Sequence, residues 1–236
     1  MCTGRVDLAF ILRALQQGAD GVIVGGCWLG ECHYVTEGNY YALNMMHLAK
    51  RLLEHAGLNP DRLRVEWISA AEGVRFAEIM NDFTEKLREL GPAGESEGLN
   101  RKALESRLEE IQKLVPYIKV EMKEKLARRL EKEEEYEQLY TAEEVTRLID
   151  EVISYYIDPE KCEACMICGR QCPVDAIDGG KNRIHVIDQE SCIRCGTCFD
   201  VCPQRFEAVS KISGRDVPPP IPDDQRTVVR KSKRAG

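Results

Sequence analysis

The sequence predicts an α+β multidomain protein built from a partial doubly wound α/β domain, a helical linker and a small cysteine-rich domain. Helix and strand patterns alternate over residues 1–91, charged and helically spaced apolar residues interleave over 92–157, and eight of the 11 cysteines lie between residues 162 and 202. With 236 residues, 43% of them hydrophobic, the chain has room for one or two domains with a buried core.

The first segment alternates predicted helices with short apolar strands. Residues 6–17 have helical apolar spacing and stop at a glycine, and 22–27 form a strand pattern. A second helix over 39–56, a strand over 63–68 and a third helix over 70–90 follow. This alternation favours a parallel, doubly wound sheet. Two strands are fewer than such a sheet normally needs, so we expect part of this domain to be missing from the chain.

The second segment, residues 92–157, predicts helices joined to the first by the linker GPAGESEG. Amphipathic helices are expected over 99–115 and 120–140, separated near Pro116, and a third over 142–155 behind a capping box that begins at Thr141. Two interpretations stay open for this segment. It is either a docking arm for another protein or a solvated connector with one buried stripe.

The third segment, residues 158–210, contains one cysteine spacing twice. The two copies lie 30 residues apart, as do Ile157-Asp158 and Ile187-Asp188, which indicates an internal duplication. Each is the CxxCxxCxxxCP run of a two-cluster bacterial ferredoxin, in which the fourth cysteine binds the other cluster. We therefore predict two 4Fe-4S clusters. Their ligands would be a first set, Cys162, Cys165, Cys168 and Cys202, and a second set, Cys192, Cys195, Cys198 and Cys172.

Other uses of these cysteines fit less well. Zinc takes two separated pairs of ligands rather than an unbroken run of four, and disulfide frameworks belong to small secreted domains. The N-terminal sequence does not have the pattern of a signal peptide, which favours a reducing cytoplasm. No apolar run approaches the roughly 18 to 20 residues that span a bilayer, so no membrane span is expected.

Charge gives little indication of a nucleic-acid partner. The net charge is -7, and the predicted folded segments are acidic. Residues 211–236, which end in VVRKSKRAG, are predicted to be a disordered basic tail, the alternative being a tether to an anionic surface.

The remaining cysteines, Cys2, Cys27 and Cys32, lie in the α/β segment. Cys2 and Cys27 are expected at the carboxyl ends of neighbouring parallel strands, where such sheets bind ligands, so the three thiols could converge. Buried apolar packing and a redox dithiol of Cys27 and Cys32 are the alternatives, although CWLGEC is not a CxxC motif. His33 could bind iron as in Rieske centres, but a structural hydrogen bond is the simpler role.

Five stretches, MCTGRVD, GADGVIVGGCWLGECHY, Gly38-Asn39, LRVEWISAAEG and RFAEIMNDF, closely resemble the delta, or iron-sulfur, subunit of methyl-viologen-reducing hydrogenase. Together they span nearly all of residues 1–85. The resemblance implies a 2Fe-2S cluster with Cys2, Cys27 and Cys32 as ligands. It also implies docking on the A-type flavoprotein of heterodisulfide reductase, with electrons passing between a hydrogenase, formate dehydrogenase or similar input module and the electron-bifurcating flavin of an anaerobic complex.

The chain departs from this family at its start. Members usually carry an upstream strand and helix with a CNWC-like cysteine pair, which are absent here, so the three cysteines supply three of four 2Fe-2S ligands. Our hypothesis is that the missing piece was lost in gene calling or belongs to a neighbouring chain. The chain has no GxGxxG fingerprint and no nucleophile with a base, so we expect a non-catalytic electron-transfer subunit. The alternative is a structural adaptor that only docks the ferredoxin module onto the flavoprotein.

Overall fold

The computed structural model describes residues 2–228, which divide into two compact units, a first unit up to residue 149 and a second from residue 150. Both units combine helices with short strands. Within the described residues, no helix has the length and apolar character needed to cross a lipid bilayer.

The first unit begins with the predicted alternation of helices and strands. After a 3-10 turn at Thr3–Arg5, its elements are α1 (Leu8–Gln16), β1 (Val22–Gly26), α2 (Asn39–Ala56), β2 (Leu63–Trp67) and α3 (Gly73–Leu90). The two strands are parallel and in register from Val22 opposite Leu63 to Gly26 opposite Trp67. The parallel pairing agrees with the prediction, whereas a doubly wound sheet stays a prediction.

Caps explain where these helices begin and end. The Asp7 side chain accepts the backbone N–H of Ala9 at 3.0 Å and starts α1. Gly57 follows α2 with a φ of +86°, a left-handed conformation that glycine adopts without strain. Four apolar residues of α1, namely Leu8, Ile11, Leu12 and Leu15, are buried, whereas Phe10 on the same helix is exposed. The unit therefore forms its core along the helix faces that the sequence pattern predicts.

The helical segment differs from its predicted boundaries. Helix α4 (Arg101–Glu121) continues through Pro116, so the predicted break there is wrong. A proline inside a helix costs about 3 kcal/mol, and burial of its neighbours Val115, Tyr117 and Ile118 offsets this cost.

The predicted helix over 120–140 is also wrong. Only α5 (Lys123–Leu126) and α6 (Glu133–Glu137) are helical there, because the buried Tyr136 hydroxyl accepts the N–H of Leu130 at 2.8 Å and replaces a helical bond. Helix α7 (Ala142–Asp150) ends before residue 155 because strand β3 (Ile153–Ile157) follows it.

The helical segment packs against α2 of the same unit and is not a solvated connector. The buried Asn44 amide on α2 donates to the carbonyls of Lys125 at 2.8 Å and Arg128 at 3.2 Å, and the Tyr140 hydroxyl donates to Asn44 Oδ1 at 2.5 Å. The expected boundary at residue 91 is therefore not a boundary between compact units. Docking of this segment on another protein stays a prediction.

The second unit contains two antiparallel strand pairs around the cysteine runs. Its elements are β3, α8 (Ile167–Gln171), β4 (Ile177–Gly180), β5 (Arg183–Ile187), α9 (Thr197–Asp200) and β6 (Val209–Ser213). Strand β3 pairs with β6, and β4 pairs with β5 across the predicted hairpin. The core residues include Tyr155, Ile157 and Ile187 together with two of the cysteines, Cys168 and Cys198.

The prediction of a disordered tail from residue 211 is wrong for part of that range. Residues 211–213 belong to β6, and a 3-10 turn forms at Asp223–Gln225. The buried Arg226 guanidinium pairs with Asp178 at 2.6 Å, and its carbonyl accepts the N–H of Ile184 at 2.6 Å. These contacts attach the segment around Arg226 to the β4–β5 hairpin. Residues 229–236 of the predicted tail lie outside the described residues.

Candidate metal centres

Both cysteine runs begin with the same turn. The carbonyls of Asp158 and Asp188 each accept the N–H of the first cysteine of the run at 3.0 Å. The carboxylates of these residues accept the N–H groups of Glu160 at 2.9 Å and Glu190 at 3.0 Å. The duplication seen in the sequence is thus repeated in the hydrogen bonding of the two loops.

The backbone between the cysteines is left-handed at matching positions. Ala164 and Met166 have φ values of +50° and +66°, and Arg194 and Gly196, each 30 residues later, have +57° and +81°. Left-handed residues turn the chain sharply and point successive N–H groups to one side. In the second loop, the N–H of Arg194 donates to the sulfur of Cys192 at 3.4 Å. Each loop is therefore shaped to surround a group rich in sulfur.

The structure brings the four thiols of the first set together. Cys168 is buried, and burial raises the pKa of its thiol to about 11. The neighbouring thiols that raise this pKa further are Cys162, Cys165 and Cys202. The fourth cysteine of the second run thus lies beside the first three of the first run.

The second set is arranged in the same way. Burial raises the pKa of Cys198 to about 12, with further contributions from Cys192 and Cys195 of the same set and from Cys168 of the first set. Burial also raises the pKa of Cys192, and the thiols that add to this are Cys195 and Cys172. Cys172 is thus near the second run, although it belongs to the first.

The donor chemistry of the two sets fits iron-sulfur clusters. All 11 cysteines are free thiols, and raised pKa values mean that the buried ones keep their protons near neutrality unless a cation compensates. Bound iron would supply that compensation, because metal ligation deprotonates thiols. Among residues 2–228, no group of three or more His, Cys, Asp or Glu side chains is arranged around a position for a single metal ion.

The other three cysteines share a cavity of about 650 Å³ at the carboxyl ends of β1 and β2. Cys2, Cys27 and Cys32 all line it, and we call it the three-thiol pocket. The sulfurs of Cys2 and Cys32 are 3.5 Å apart. Cys27 directly follows β1, whereas Cys2 precedes the 3-10 turn at Thr3–Arg5 instead of ending a strand. The three thiols converge even though one of them comes from an unexpected element.

The thiols of this pocket differ in acidity. Burial raises the pKa of Cys27, and the neighbouring thiol of Cys32 raises it further. Burial acts in the same direction on Cys32, but hydrogen bonds from the backbone N–H groups of Asn39 and Tyr34 outweigh it and lower its pKa overall. Cys32 therefore loses its proton more readily than Cys27 does.

Asn39 and Gly38 determine how closely the chain surrounds these sulfurs. The buried Asn39 amide donates to the carbonyls of Cys27 at 2.8 Å and Trp28 at 2.7 Å. A Cβ on Gly38 would lie 2.3 Å from the sulfur of Cys32, so only glycine fits there. The pocket supplies three thiols, and a 2Fe-2S cluster needs four ligands. Its donor chemistry therefore fits such a cluster in part.

Two histidines near the thiols have different surroundings. His33 lines the three-thiol pocket, and its role as a ligand stays untested. No motif in the sequence singles out His185, yet this residue is buried with Nδ1 3.8 Å from the sulfur of Cys162. Only the alignment of the two duplicated halves could have identified it, because it occupies the position of Tyr155 in the first half.

These features define an iron-sulfur protein with a ferredoxin-type domain. A 4Fe-4S dicluster domain matches residues 161–207, and the methyl-viologen-reducing hydrogenase delta subunit matches residues 1–91. The chain belongs to the methyl-viologen-reducing hydrogenase delta subunit family through this N-terminal region, as the resemblance predicts.

Known relatives agree with this assignment. The chain is 56% identical over 91 residues to the D-type iron-sulfur subunit of the F420-non-reducing hydrogenase of Archaeoglobus profundus, which covers 39% of this chain and 66% of the relative. It is 41% identical over 91 residues to the D-type vhu iron-sulfur subunit of Methanopyrus kandleri, covering 39% and 68%. It is also 50% identical over 94 residues to the A-type subunit of the ferredoxin/F420H2-dependent CoB-CoM heterodisulfide reductase of Methanosarcina acetivorans, covering 40% and 12%.

Proposed function

We propose that this chain is the electron-transfer subunit of a heterodisulfide-reductase-like, flavin-based electron-bifurcating complex. It would relay electrons between an input module, such as a hydrogenase or formate dehydrogenase, and an A-type flavoprotein like that of heterodisulfide reductase. The observation that carries the proposal is that the thiols of both cysteine runs lie close together, with Cys202 near Cys168 and Cys172 near Cys192, which supports two crossed sets of four ligands. Such clusters supply sites that each accept and release one electron.

The chain's own residues would hold and insulate these sites. Cys168 and Cys198 are buried, whereas Cys165 is exposed at the surface. Buried thiol ligands keep water from most of a cluster, and one exposed edge leaves a short route for electrons to a partner. The two sets share neighbouring loops through Cys172 and Cys202, so an electron could pass between them without leaving the unit.

The identity of the partners is supported by the relatives. A segment of 94 residues similar to part of this chain occurs inside the A-type subunit of heterodisulfide reductase in M. acetivorans, and 91 residues of this chain match a separate D-type subunit of a hydrogenase. A segment that occurs both fused to a protein and as a separate chain commonly works beside that protein. We therefore propose that the first unit contacts an A-type flavoprotein.

We further propose that Cys2, Cys27 and Cys32 are this chain's share of a 2Fe-2S site. The convergence of the three sulfurs and the lowered pKa of Cys32 support it. The second candidate function is an adaptor that docks the ferredoxin unit without a cluster of its own. The presence of only three thiols in this pocket favours the adaptor.

Iron content distinguishes the two candidates. Anoxically purified chain should contain about eight irons if only the two 4Fe-4S clusters form, and about ten if a 2Fe-2S cluster is added. Fewer than about eight irons, with no 4Fe-4S signal in electron paramagnetic resonance (EPR), would contradict the relay itself. Identification of the proteins that co-purify from the native organism without oxygen tests the proposed partners.

The crossed ligands have a test with a matched pair of variants. Cys202→Ser should impair the cluster whose other ligands are Cys162, Cys165 and Cys168, and Cys172→Ser should impair the other cluster. EPR-monitored redox titration resolves the two clusters by their signals. Loss of the same cluster in both variants would show that the fourth cysteines do not cross.

A further inference from the structure

The duplicated halves of the second unit place different residues against their two thiol sets. Tyr155 on β3 and His185 on β5 lie 30 residues apart, like the cysteine runs, and hold the same position in their strands. Tyr155 lines a cavity with second-set thiols, including Cys192 and Cys195. His185 is only 3% exposed and faces Cys162 of the first set. The backbone is repeated, but the group presented to the sulfurs is not.

A second pair of equivalent positions makes room for the histidine. Phe199 of the second half packs against Tyr155 with ring centroids 6.2 Å apart, and the residue 30 positions earlier is Gly169. A Cβ on Gly169 would be 3.6 Å from the His185 ring, and one on Gly179 would be 2.3 Å from it. The imidazole therefore packs against two glycines, and at Gly179 a side chain would clash with its ring.

In that position, the His185 ring nitrogen Nδ1 is 3.8 Å from the sulfur of Cys162. Sulfur is a larger acceptor than oxygen, so N–H···S bonds are longer than N–H···O bonds. Imidazole can carry its proton on Nδ1, and a thiolate ligand is an acceptor only. His185 is the only one of the four histidines in the second unit, so no other imidazole of that unit competes for this contact.

We propose that His185 donates its Nδ1–H to the Cys162 sulfur and thereby raises the reduction potential of the first-set cluster. The inference rests on the proposed function, since it requires that the first set holds a cluster. A hydrogen bond to a ligand sulfur stabilises the added negative charge of the reduced state, and potentials of such clusters respond to hydrogen bonds of this kind. His185 is thus a positioning and tuning residue.

The second set has its own electrostatic partner, so each cluster must be compared with itself. The Arg194 N–H donates to Cys192 at 3.4 Å, and the Arg194 guanidinium donates to Ser154 at 3.3 Å. In the first half, Ala164 occupies the position of Arg194. Altering His185 should change the reduction potential of the first-set cluster, whichever of the two clusters has the higher potential.

The test is an EPR-monitored redox titration of the full chain with both clusters assembled under anoxic conditions. His185→Phe should lower the midpoint of one cluster and leave the other unchanged. His185→Gln, which keeps an N–H donor, should lie closer to the wild type. Val186→Ala, the neighbouring substitution on the same strand, is the matched control and should shift neither. Equal shifts of both clusters, or none, in a fully loaded His185→Phe protein would overturn the inference.

A second measurement uses the wild-type chain and so does not depend on whether a variant folds. Wild-type chain labelled with 15N-histidine should show a nitrogen hyperfine coupling on the signal of one reduced 4Fe-4S cluster, and deuterium exchange should reveal an exchangeable proton near the same cluster. Absence of nitrogen coupling from both 4Fe-4S signals would overturn the inference even if His185→Phe failed to load. Absence of the 4Fe-4S signals themselves from wild-type protein would instead contradict the proposed function.

Discussion

Acidification should destabilise the first unit through His47. Burial lowers the pKa of His47 to about 4 from 6.5, and Lys50 and Arg51 on the same helix lower it while Glu137 on α6 opposes them. The ring stacks on Tyr136 with centroids 6.4 Å apart, so the neutral imidazole is part of the packing between α2 and α6. The unfolded chain therefore binds this proton more readily than the folded chain does.

The sign and size of the effect follow from this difference. Protonation of His47 does not reduce the free energy of unfolding above the unfolded pKa of 6.5. The free energy of unfolding then falls as the pH drops from 6.5 towards about 4. At about 1.36 kcal/mol per pKa unit, the full loss is about 3 kcal/mol, of which about 2 kcal/mol appears between about pH 7 and about pH 5.

The measurement is guanidinium unfolding of the full chain at several pH values. Both tryptophans, Trp28 and Trp67, lie in the first unit, so their fluorescence reports on that unit alone. His47→Phe keeps a ring against Tyr136 and should flatten the pH dependence. His55→Phe, on the same helix and hydrogen-bonded to Thr146 at 3.4 Å, is the matched control and should retain it. An unchanged slope in His47→Phe would refute the argument.

Three further substitutions test other contacts of the first unit. Tyr140→Phe should cost about 1 to 3 kcal/mol by the same unfolding assay, because it leaves the buried Asn44 Oδ1 without its donor. Arg62→Ala should cost about 3 to 5 kcal/mol, because the fully buried guanidinium pairs with Glu97 at 2.7 Å and also donates to backbone carbonyls at the end of α3. Gly38→Ala should change the alkylation rate of the three-thiol pocket, because the added Cβ would come within 2.3 Å of a sulfur.

Each of these has a control in the same unit. Tyr34→Phe removes a hydroxyl from an exposed ring, and Arg88→Ala removes an exposed cation. Gly73→Ala adds a methyl group to open space. A loss in Tyr140→Phe or Arg62→Ala no larger than in its control would show that the buried contact contributes little. Equal alkylation rates in Gly38→Ala and Gly73→Ala would show that the pocket tolerates the methyl group.

The parts of the fold that the sequence predicted are those fixed by local chemistry. Gly18 and Gly57 lie at helix ends because glycine adopts a left-handed backbone with little strain. These helix ends can therefore be predicted without any tertiary information. The cysteine runs are equally local, because the spacing is imposed by the geometry of the cluster they would hold. The rule that ligands meet at the carboxyl ends of parallel strands accounts for Cys27, which follows β1, but not for Cys2, which precedes the 3-10 turn at Thr3–Arg5.

The parts that could not be predicted depend on contacts between distant residues. Pro116 marks a break by local rules, and only packing of Val115, Tyr117 and Ile118 in the assembled unit keeps the helix continuous. The polar, proline-rich composition after residue 211 predicts disorder. The segment around Arg226 is instead anchored by the pair of Arg226 with Asp178, 48 residues away. Long-range pairs of this kind leave no periodic signal in the sequence.

The internal duplication has a consequence for how the second unit would work. Two halves with the same turns, the same left-handed positions and the same helix placement would give two equivalent clusters if their side chains were also the same. An electron gains no free energy in moving between equivalent sites, so any preference must come from the positions where the halves differ. Around the sulfurs, these include His185 against Tyr155, Gly169 against Phe199, and Ala164 against Arg194. Exchanging such residues between the halves, one pair at a time, would change the driving force between the clusters while leaving the cysteine ligands and the loops that carry them intact.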